Sequence, residues 1–372
     1  MKPLQFPAVS NNQSKLSLLL QQRKPLVIFG AGNLGRKIGK FLISRGERVI
    51  AFADNNEKLW GGELFGIPLR APKDFSKDEF DEAVWLVAIW SPGHSFRDTK
   101  RQLQSYGAVQ IFHAAAVMQL YPDNLLPHYH FQTPEFYLRH RSQLNQVYEL
   151  LADDESKTQF LAHLNCRINL EFEGLPVPDK ENQYFPSDII ALTDEEVFMD
   201  AGAFNGDTLM EFSKRTGNTF SKYLALEPDP KNYQELIKVA SSFKPGKVEV
   251  FPYAVGNENT VLKFDATGGP GASISESGIL EVECKRADDF IINYKPTYLK
   301  FDIEGAELNA LKGCKNIIST YHPKLAVCLY HLPEDLWQIC LYLRDNFPFY
   351  RFFVRTHSDD GFELVLYAIP NK

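Results

Sequence analysis

The sequence lacks several features that mark specialised classes of protein. Its five cysteines include no Cys-x-x-Cys pair, so neither a disulfide framework nor a structural zinc site is indicated. No apolar run approaches the roughly 18 residues of a membrane span. No long Lys/Arg run is present and the net charge is −7, so nothing favours nucleic acid as a partner. The start lacks a charged segment followed by a long apolar one, and we expect no signal peptide and a cytoplasmic protein.

What the chain does contain is two regions where short apolar segments alternate with amphipathic ones. Residues 25–117 and 196–372 show this pattern, which predicts parallel strands with crossover helices. Residues 118–195 are mainly helical in pattern, and residues 1–24 form an N-terminal arm. The last apolar segments flank a polar turn, which predicts an antiparallel terminal hairpin. We therefore predict an α/β fold with two doubly wound, Rossmann-like domains joined by a helical bridge.

The segment "VFMDAGAFNGDT" (residues 197–208) combines a strand with a glycine-rich turn. Gly202 and Gly206 remove side chains where the chain turns, which lets a ligand approach the backbone. The segment contains neither Gly-Lys-Ser/Thr nor G-x-G-x-x-G, so a triphosphate loop is excluded. Asp200 and Asp207 would repel a pyrophosphate. This turn therefore favours a ligand that carries positive charge.

The next two strands add recognition groups for a nucleoside. Glu227 ends the strand "YLALE", where an acid can accept hydrogen bonds from ribose hydroxyls. Tyr253 and Ala254 end the following strand and are placed to flank an adenine ring. A positive centre, a ribose and an adenine together describe S-adenosylmethionine. A helix cap for Glu227 and core positions for Tyr253 and Phe204 are the simpler alternatives.

Residues 196–372 resemble the FkbM-type methyltransferases, which use S-adenosylmethionine and have a seven-stranded Rossmann-like fold. The resemblance is carried by "VFMDAGAFNGDT", "LALEPDP", "PYAVGN", "GASIS", "VECKRADDF" and above all "YLKFDIEGAELNALKG". It implies a sheet whose first strand is central and whose C-terminal hairpin lies at one edge. It also implies that the cofactor contacts the strand ends at Asp200, Ala201, Gly202, Phe204, Gly206, Asp207, Thr208, Glu227, Pro228, Tyr253 and Ala254.

Methyl transfer to a hydroxyl requires a group that removes its proton. Asp302 and Glu304 follow the fourth strand of this domain and His331 follows the fifth, so we expect the three to converge. His331 is the preferred base because its ordinary pKa lies near neutral pH, and Glu304 would orient it or share the role. A helix-capping or loop role for His331 stays open, and Glu307 is expected on a helix surface. Three residues on two strands do not define a metal site, and we predict no metal.

The segment "TGGPGASISESG" (residues 267–278) is rich in glycine and serine. We interpret it as a lid whose hydroxyls suit a polar acceptor such as a sugar, with an ordinary surface loop as the alternative. The predicted activity is O-methyl transfer to a small molecule, either a sugar or a similar hydroxylated metabolite. Neither nucleic acid nor a membrane is expected as a partner, and a homo-oligomer is compatible with the sequence.

A first glycine-rich turn, "GAGNLG", fits G-x-G-x-x-G at Gly30, Gly32 and Gly35, between a strand and a helix that starts near Asn33. Asp54 closes the second strand in the position for a ribose contact, and the backbone donors of the turn suit phosphate. We predict a second nucleotide here, either NAD or a sugar nucleotide, with a scaffold that binds no ligand as the alternative. A nicotinamide-dependent oxidoreductase and a non-catalytic nucleotide-binding protein are the rival functions.

Overall fold

The structure is a computed structural model that describes residues 4–9, 12–91, 93–265, 273–274 and 280–371. The strands are β1 (Leu26–Phe29), β2 (Val49–Ala53), β3 (Glu63–Leu64), β4 (Ile67–Arg70), β5 (Val84–Val87), β6 (Gln110–His113), β7 (Val197–Ala201), β8 (Lys222–Leu226), β9 (Val248–Phe251), β10 (Ala254–Val255), β11 (Thr260–Asp265), β12 (Ser273–Ile274), β13 (Leu280–Lys285), β14 (Tyr298–Phe301), β15 (Lys324–Cys328), β16 (Tyr350–Thr356) and β17 (Leu364–Pro370).

The α-helices connect and cover these strands. They are α1 (Asn12–Gln21), α2 (Asn33–Ser44), α3 (Lys77–Glu82), α4 (Phe96–Tyr106), α5 (Ala115–Leu120), α6 (Pro122–Leu125), α7 (Pro134–Arg139), α8 (Arg141–Leu150), α9 (Asp154–Asn169), α10 (Asp207–Arg215), α11 (Pro230–Ala240), α12 (Glu307–Gly313), α13 (Lys315–Tyr321) and α14 (Asp335–Asn346). The helices in the described part of the chain are all too short or too polar to cross a bilayer.

The first sheet has the strand order β3-β4-β2-β1-β5-β6. Strands β4, β2, β1, β5 and β6 run parallel, and β3 pairs antiparallel with β4. Every residue of β1 and β5 is buried, because helices cover both faces of a parallel sheet. The amphipathic helix α2 supplies part of that cover by burying Leu34, Ile38 and Leu42.

The second sheet has the order β16-β17-β15-β14-β7-β8-β9. Strands β15, β14, β7, β8 and β9 run parallel, while β17 pairs antiparallel with both β15 and β16. Strand β7 therefore lies inside the sheet and the terminal hairpin lies at one edge. The predicted α/β class with parallel-dominated sheets is confirmed. Because parallel strands share an edge, the turns that follow β7, β8 and β14 meet there.

Both faces of the second sheet are covered by a hydrophobic core. One core includes Leu144 of α8 and Phe160 of α9, which pack with residues of β7, β14 and β15. The other includes Phe198, Tyr223 and Phe212 of α10. Helices α8 and α9 of the predicted bridge thus share a core with the second sheet. The domain boundaries themselves stay a prediction.

A third sheet, with the order β10-β13-β11-β12, is formed by strands within residues 254–285. Its strands β11 and β13 are antiparallel, and β13 runs parallel to β10. The sequence analysis did not predict this sheet. Apart from Ser273–Ile274, the predicted lid at residues 267–278 lies outside the described residues.

The turn between β16 and β17 joins the two large sheets. Asp360, which is buried, accepts hydrogen bonds from the backbone N–H of Phe96 at the start of α4, at 2.8 and 2.9 Å. Nδ1 of His94 lies 2.7 Å from Oδ2 of Asp360. The ring of Trp90 packs on Phe362 with centroids 4.2 Å apart. These contacts bring the loop after β5 to the carboxyl edge of the second sheet.

Candidate functional site

A cavity of about 990 Å³ opens at the carboxyl edge of the second sheet. Many residues predicted from the sequence line it, namely Gly202, Phe204, Asp207, Thr208, Glu227, Pro228, Tyr253, Ala254, Asp302 and Glu304. Among the described residues, Asp200, Ala201, Gly206 and His331 are not part of the lining. The cavity therefore brings together both predicted halves of the site, and the remaining four predicted residues lie behind its wall or beside it.

The glycine turn after β7 depends on a close backbone approach. Gly202 has a φ of +83°, and a Cβ built on it would lie 1.9 Å from the carbonyl oxygen of Asp302. The backbone N–H groups of Gly202 and Ala203 both donate to the carbonyl oxygen of Leu226 at 3.0 Å. The turn is thus held between the ends of β8 and β14, and only glycine fits at its first position.

We expect Gly202→Ala to lower the free energy of unfolding by about 1–3 kcal/mol, because the side chain must enter a left-handed conformation against backbone. Denaturant titration of the purified variant measures this loss. Gly32→Ala is the matched control, because a Cβ on Gly32 meets nothing within 4 Å. Equal stability of the two variants would contradict the close approach at Gly202.

Glu227 connects the glycine turn to the loop after β8. Its Oε2 accepts a hydrogen bond from the backbone N–H of Phe204 at 2.9 Å, and its Oε1 accepts one from the N–H of Asp229 at 2.9 Å. Burial raises the pKa of Glu227 to about 7. The carboxyl group therefore changes charge close to neutral pH while it lines the cavity.

Asp200 requires a correction. The sequence analysis placed it beside a cationic ligand, but its side chain is fully buried below the turn. Its Oδ1 lies 2.8 Å from Nζ of Lys300, and the hydroxyl of Tyr223 donates to its Oδ2. Nζ of Lys300 also donates to the carbonyl oxygen of Gly202 at 2.8 Å. The charge of Asp200 is therefore compensated within the protein, and the ion pair supports the turn from below.

The side chain of Asp302 lines the cavity and lies within a hydrogen-bond network. The hydroxyl of Tyr184 donates to its Oδ2 at 2.7 Å, and the hydroxyl of Tyr330 donates to its Oδ1 at 3.0 Å. Burial alone would raise the pKa of Asp302, but the charges of Lys300 and His331 outweigh it and lower the pKa. Asp302 is therefore ionised at neutral pH, and it accepts two of the roughly four hydrogen bonds that a carboxylate can accept.

Glu363 also faces the cavity and shares the hydroxyl of Tyr330 with Asp302. Oε1 of Glu363 lies 3.1 Å from that hydroxyl. A phenol has a single proton and cannot donate to two carboxylates at once. Burial and the Asp302 charge raise the pKa of Glu363 to about 8. Glu363 is therefore mostly protonated at neutral pH, which lets Tyr330 donate to Asp302.

His331 does not suit the role of general base. Its Nδ1 lies 2.8 Å from Oε1 of Glu307, and its Nε2 lies 3.4 Å from Asp302 and 3.8 Å from Glu304. Burial would lower the pKa of His331, but these three carboxylates raise it to about 10. His331 is therefore an imidazolium at neutral pH and has no lone pair for a further proton.

Glu307 was expected on the surface of a helix, and this expectation is wrong. Its side chain is fully buried at the start of α12. Besides its contact with His331, its Oε1 accepts a hydrogen bond from the backbone N–H of Ile303 at 2.9 Å. Glu307 therefore holds both His331 and the turn that carries Asp302 and Glu304.

Within the part of the chain that the structure describes, Asp302, Cys328 and Glu363 form a group whose ligand atoms lie within 4.8 Å of one another. Burial raises the pKa of the Cys328 thiol well above its ordinary value, so the thiol stays protonated and is a poor metal ligand. The oxygens of Asp302 accept hydrogen bonds from Tyr184 and Tyr330, and Oε2 of Glu363 accepts one from the side-chain amide of Gln183. This group is better described as a hydrogen-bond network, and the absence of a metal stays a prediction.

Several residues of the site were missed by the sequence analysis. Tyr184 lies in a segment that reads only as a loop, and Glu363 lies in the turn of the terminal hairpin. Trp90 and Tyr129 reach the cavity from outside the C-terminal domain. Of these missed residues, Lys300 could have been found from the sequence. A lysine within the buried strand "YLKF" predicts a buried partner of opposite charge.

The first glycine turn lies at the carboxyl edge of the first sheet. Gly30 has a φ of +109°, and a Cβ on Gly35 would lie 1.8 Å from the carbonyl oxygen of Gly30. Oδ2 of Asp54 accepts a hydrogen bond from the backbone N–H of Ala31 at 2.7 Å. Asp54 therefore holds the turn itself, and Gly32 and Asn33 begin α2. The second nucleotide stays a prediction.

Known proteins share this architecture. Residues 200–362 match the methyltransferase FkbM domain. The matched residues make up less than half of the chain. It is also similar to the crystal structure of Methyltransferase FkbM from Methylobacillus flagellatus KT, with 25% identity and a TM-score of 0.77 over 98% of this chain and 94% of that chain. That similarity includes the first sheet as well as the second.

Two other solved structures are similar over shorter stretches. A SAM-dependent methyltransferase from Aquifex aeolicus is 14% identical, with a TM-score of 0.28 over 60% of this chain and 97% of that chain. Precorrin-6y C5,15-methyltransferase from Geobacter metallireducens GS-15 is 14% identical, with a TM-score of 0.30 over 48% and 80%. Neither TM-score indicates anything about the function of this protein. No curated protein matches the chain. The match to this domain favours methyl transfer from S-adenosylmethionine over the oxidoreductase alternative.

Proposed function

We propose that this protein is an O-methyltransferase that transfers a methyl group from S-adenosylmethionine to a hydroxyl of a sugar or a similar polar metabolite. One observation carries the proposal. A single cavity is lined by the glycine turn, by Glu227 and by the ionisable groups Asp302 and Glu304. The turn and Glu227 suit a nucleoside, and the two acids that follow β14 suit a hydroxyl that must lose a proton.

The residues of the glycine turn and of the loops after β8 and β9 fit the cofactor. Glu227 would accept hydrogen bonds from the ribose hydroxyls, and Tyr253 and Ala254 would border the adenine. Asp207, the first residue of α10, would lie towards the positively charged end of the ligand. S-adenosylmethionine supplies a sulfonium methyl group that is already activated for transfer. Asp200 acts indirectly, because it supports the turn through Lys300.

We assign the proton of the acceptor hydroxyl to a carboxylate that lines the same cavity. Glu304 lines the cavity, and its side chain is 25% exposed. It would accept the proton of the acceptor hydroxyl, which is within the repertoire of a positioned carboxylate. Asp302 would orient the acceptor from its network with Tyr184 and Tyr330. His331 would act as a positioning residue, whose positive charge helps to keep Asp302 ionised.

Calorimetry with separate ligands tests the function itself. The proposal predicts that S-adenosylmethionine binds to the C-terminal domain. Binding of NADH without binding of S-adenosylmethionine would favour the oxidoreductase. Binding of NADH in addition, with loss on a bulky substitution at Gly32, would support the predicted second nucleotide site.

The affinity for S-adenosylmethionine is expected to rise with pH near neutrality. With a pKa of about 7, the ionised fraction of Glu227 rises from about one tenth at pH 6 to about nine tenths at pH 8. If the ionised form is the better acceptor for ribose hydroxyls, affinity rises about tenfold over this range. Calorimetric titrations at several pH values measure this change.

Glu227→Gln is the control for this prediction. Glutamine keeps the shape of the side chain but does not titrate, so its affinity should be lower and should not follow this pH dependence. An equally steep pH profile in the variant would show that another group causes it. Glu235→Gln on the exposed face of α11 should leave the wild-type profile unchanged.

A further inference from the structure

The wall of the cavity beside the carboxylates is built largely from outside the methyltransferase domain. Trp90 and Ser91 belong to the loop after β5 of the first sheet, and Tyr129 lies between α6 and α7. All three line the same cavity as Asp302 and Glu304. The first sheet therefore contributes directly to the site through the loop at its carboxyl edge.

The aromatic rings of this wall are continuous with the hydrogen-bond network of Asp302. The ring of Tyr129 lies 5.8 Å from that of Trp90 and 6.2 Å from that of Phe362. Phe362 in turn lies 6.0 Å from Tyr330, whose hydroxyl donates to Asp302. A ligand that lies against Trp90 and Tyr129 is thus held next to the groups that handle the proton.

This wall is held in place by the junction between the two sheets. Asp360 binds the start of α4, and the adjacent Gly361 packs closely on His130, with a built Cβ only 2.9 Å from Nε2 of that ring. His130 is buried, and its Nδ1 lies 3.2 Å from the carbonyl oxygen of Tyr330. Phe362 follows directly in the chain. The aromatic wall is therefore pre-organised rather than formed by side chains on a free surface.

The charge of the cavity near Asp302 disfavours anions. Its acidic lining groups are Asp302 and Glu304, whereas Glu363 is mostly protonated at neutral pH. The nearby cations are compensated, because His331 pairs with Glu307 and Lys300 pairs with Asp200. The other basic residues of the described lining form ion pairs of their own, Lys180 with Asp359, Lys214 with Glu211 and Arg215 with Glu211. Burial lowers the pKa of the neighbouring His128 to about 4, so that ring is neutral. A phosphate or carboxylate on the acceptor would be repelled.

We propose that Trp90 and Tyr129 form the acceptor subsite, and that this subsite takes the apolar face of an uncharged sugar ring. Pockets of this kind combine aromatic walls with a few polar groups that fix orientation, and Ser91 and Glu304 supply those groups. The inference rests on the proposed function, because it identifies the acceptor of the methyl group. It assigns to the first sheet a role in substrate recognition.

Calorimetry on the full chain saturated with S-adenosylhomocysteine tests this subsite. The probes are neutral methyl glycosides of hexoses, 6-deoxyhexoses and pentoses, with methyl glucuronide and glucose 6-phosphate as anionic counterparts. We expect at least one neutral glycoside to bind and the anionic sugars to bind at least tenfold more weakly. The proposal is overturned if no neutral glycoside binds, or if the anionic sugars bind as tightly.

Variants of the wall separate stacking from a loss of folding. Trp90→Ala should weaken binding of the neutral glycoside at least tenfold, whereas Trp90→Phe, which keeps an aromatic face, should stay within threefold of wild type. Tyr129→Ala is a second variant with the same expected loss. Phe65→Ala is the matched control. Phe65 lies in the turn between β3 and β4 of the first sheet, is exposed, and does not line the cavity. Wild-type affinity in both alanine variants of the wall overturns the proposal.

The binding of S-adenosylhomocysteine distinguishes failure of this inference from failure of the proposed function. Unchanged S-adenosylhomocysteine affinity in the Trp90 variants shows that they are folded. If S-adenosylhomocysteine binds while Trp90→Ala and Tyr129→Ala leave glycoside affinity unchanged, the subsite is wrong and the methyltransferase stands. If S-adenosylhomocysteine does not bind but the glycoside does, with the expected loss in these variants, the subsite stands and the proposed function fails.

Discussion

Glu304→Gln is expected to lower kcat by about 10²–10⁴-fold, because a positioned base typically contributes that much to proton removal. Glutamine occupies nearly the same volume but cannot take up the proton. Affinity for S-adenosylmethionine should stay within threefold of wild type, since Glu304→Gln leaves Glu227 and the glycine turn unchanged. Steady-state kinetics with the glycoside identified by binding, together with calorimetry of the cofactor, measure both quantities.

The same experiment distinguishes Glu304 from its neighbours. Glu235→Gln on the exposed surface of α11 controls for the loss of one carboxylate and should leave kcat unchanged. His331→Gln should lower kcat and alter its pH profile, since it removes one of the charges that lower the pKa of Asp302. If Glu304→Gln retains more than a third of the wild-type kcat, Glu304 is not the base, and Glu363 becomes the first alternative because its pKa of about 8 is close to the operating range.

Lys300→Met is expected to lower the free energy of unfolding by about 3–5 kcal/mol, because it leaves the charge of Asp200 buried without its partner. Nζ of Lys300 lies 2.8 Å from Oδ1 of Asp200, and both side chains are almost fully buried. Burial alone would lower the pKa of Lys300, but the charges of Asp200 and Asp302 raise it, so the lysine stays charged in the native state. Denaturant titration measures the loss of stability.

Two controls test whether the missing charge is the cause. Lys312→Met, on the exposed side of α12, should change stability by less than about 0.5 kcal/mol. The double variant Asp200→Asn/Lys300→Met should recover part of the loss, because replacing both charges removes the unpaired carboxylate. A single Lys300→Met variant as stable as wild type would show that the ion pair does not support the glycine turn.

Much of the site could be predicted because it depends on the ends of parallel strands. The turn at Gly202 and the acid Glu227 each follow a recognisable strand, and parallel strands carry their carboxyl ends to one edge. Asp302 and Glu304 follow a third strand of the same sheet. Their convergence on one cavity therefore needed only the order of elements along the chain.

The chemical states of the same residues could not be predicted in this way. A pKa depends on burial and on charges that lie close in space. The imidazole of His331 has ordinary properties in the sequence, but three carboxylates surround it in the fold. The sequence pattern predicts that Asp200 faces the ligand. In the structure its charge is paired with Lys300, which lies one hundred positions later in the chain. Glu307 is a surface position by helical pattern and a buried anchor in the structure.

By itself, the sequence determined the class of fold and the strand ends that line the cavity, because these follow from local pattern and the direction of strands. Only the tertiary structure decided which acids face the cavity and which are compensated within the protein. It also placed Trp90 and Tyr129 in the wall of a cavity that belongs to another sheet. Contacts between residues far apart in the chain set these properties, and no local pattern records them.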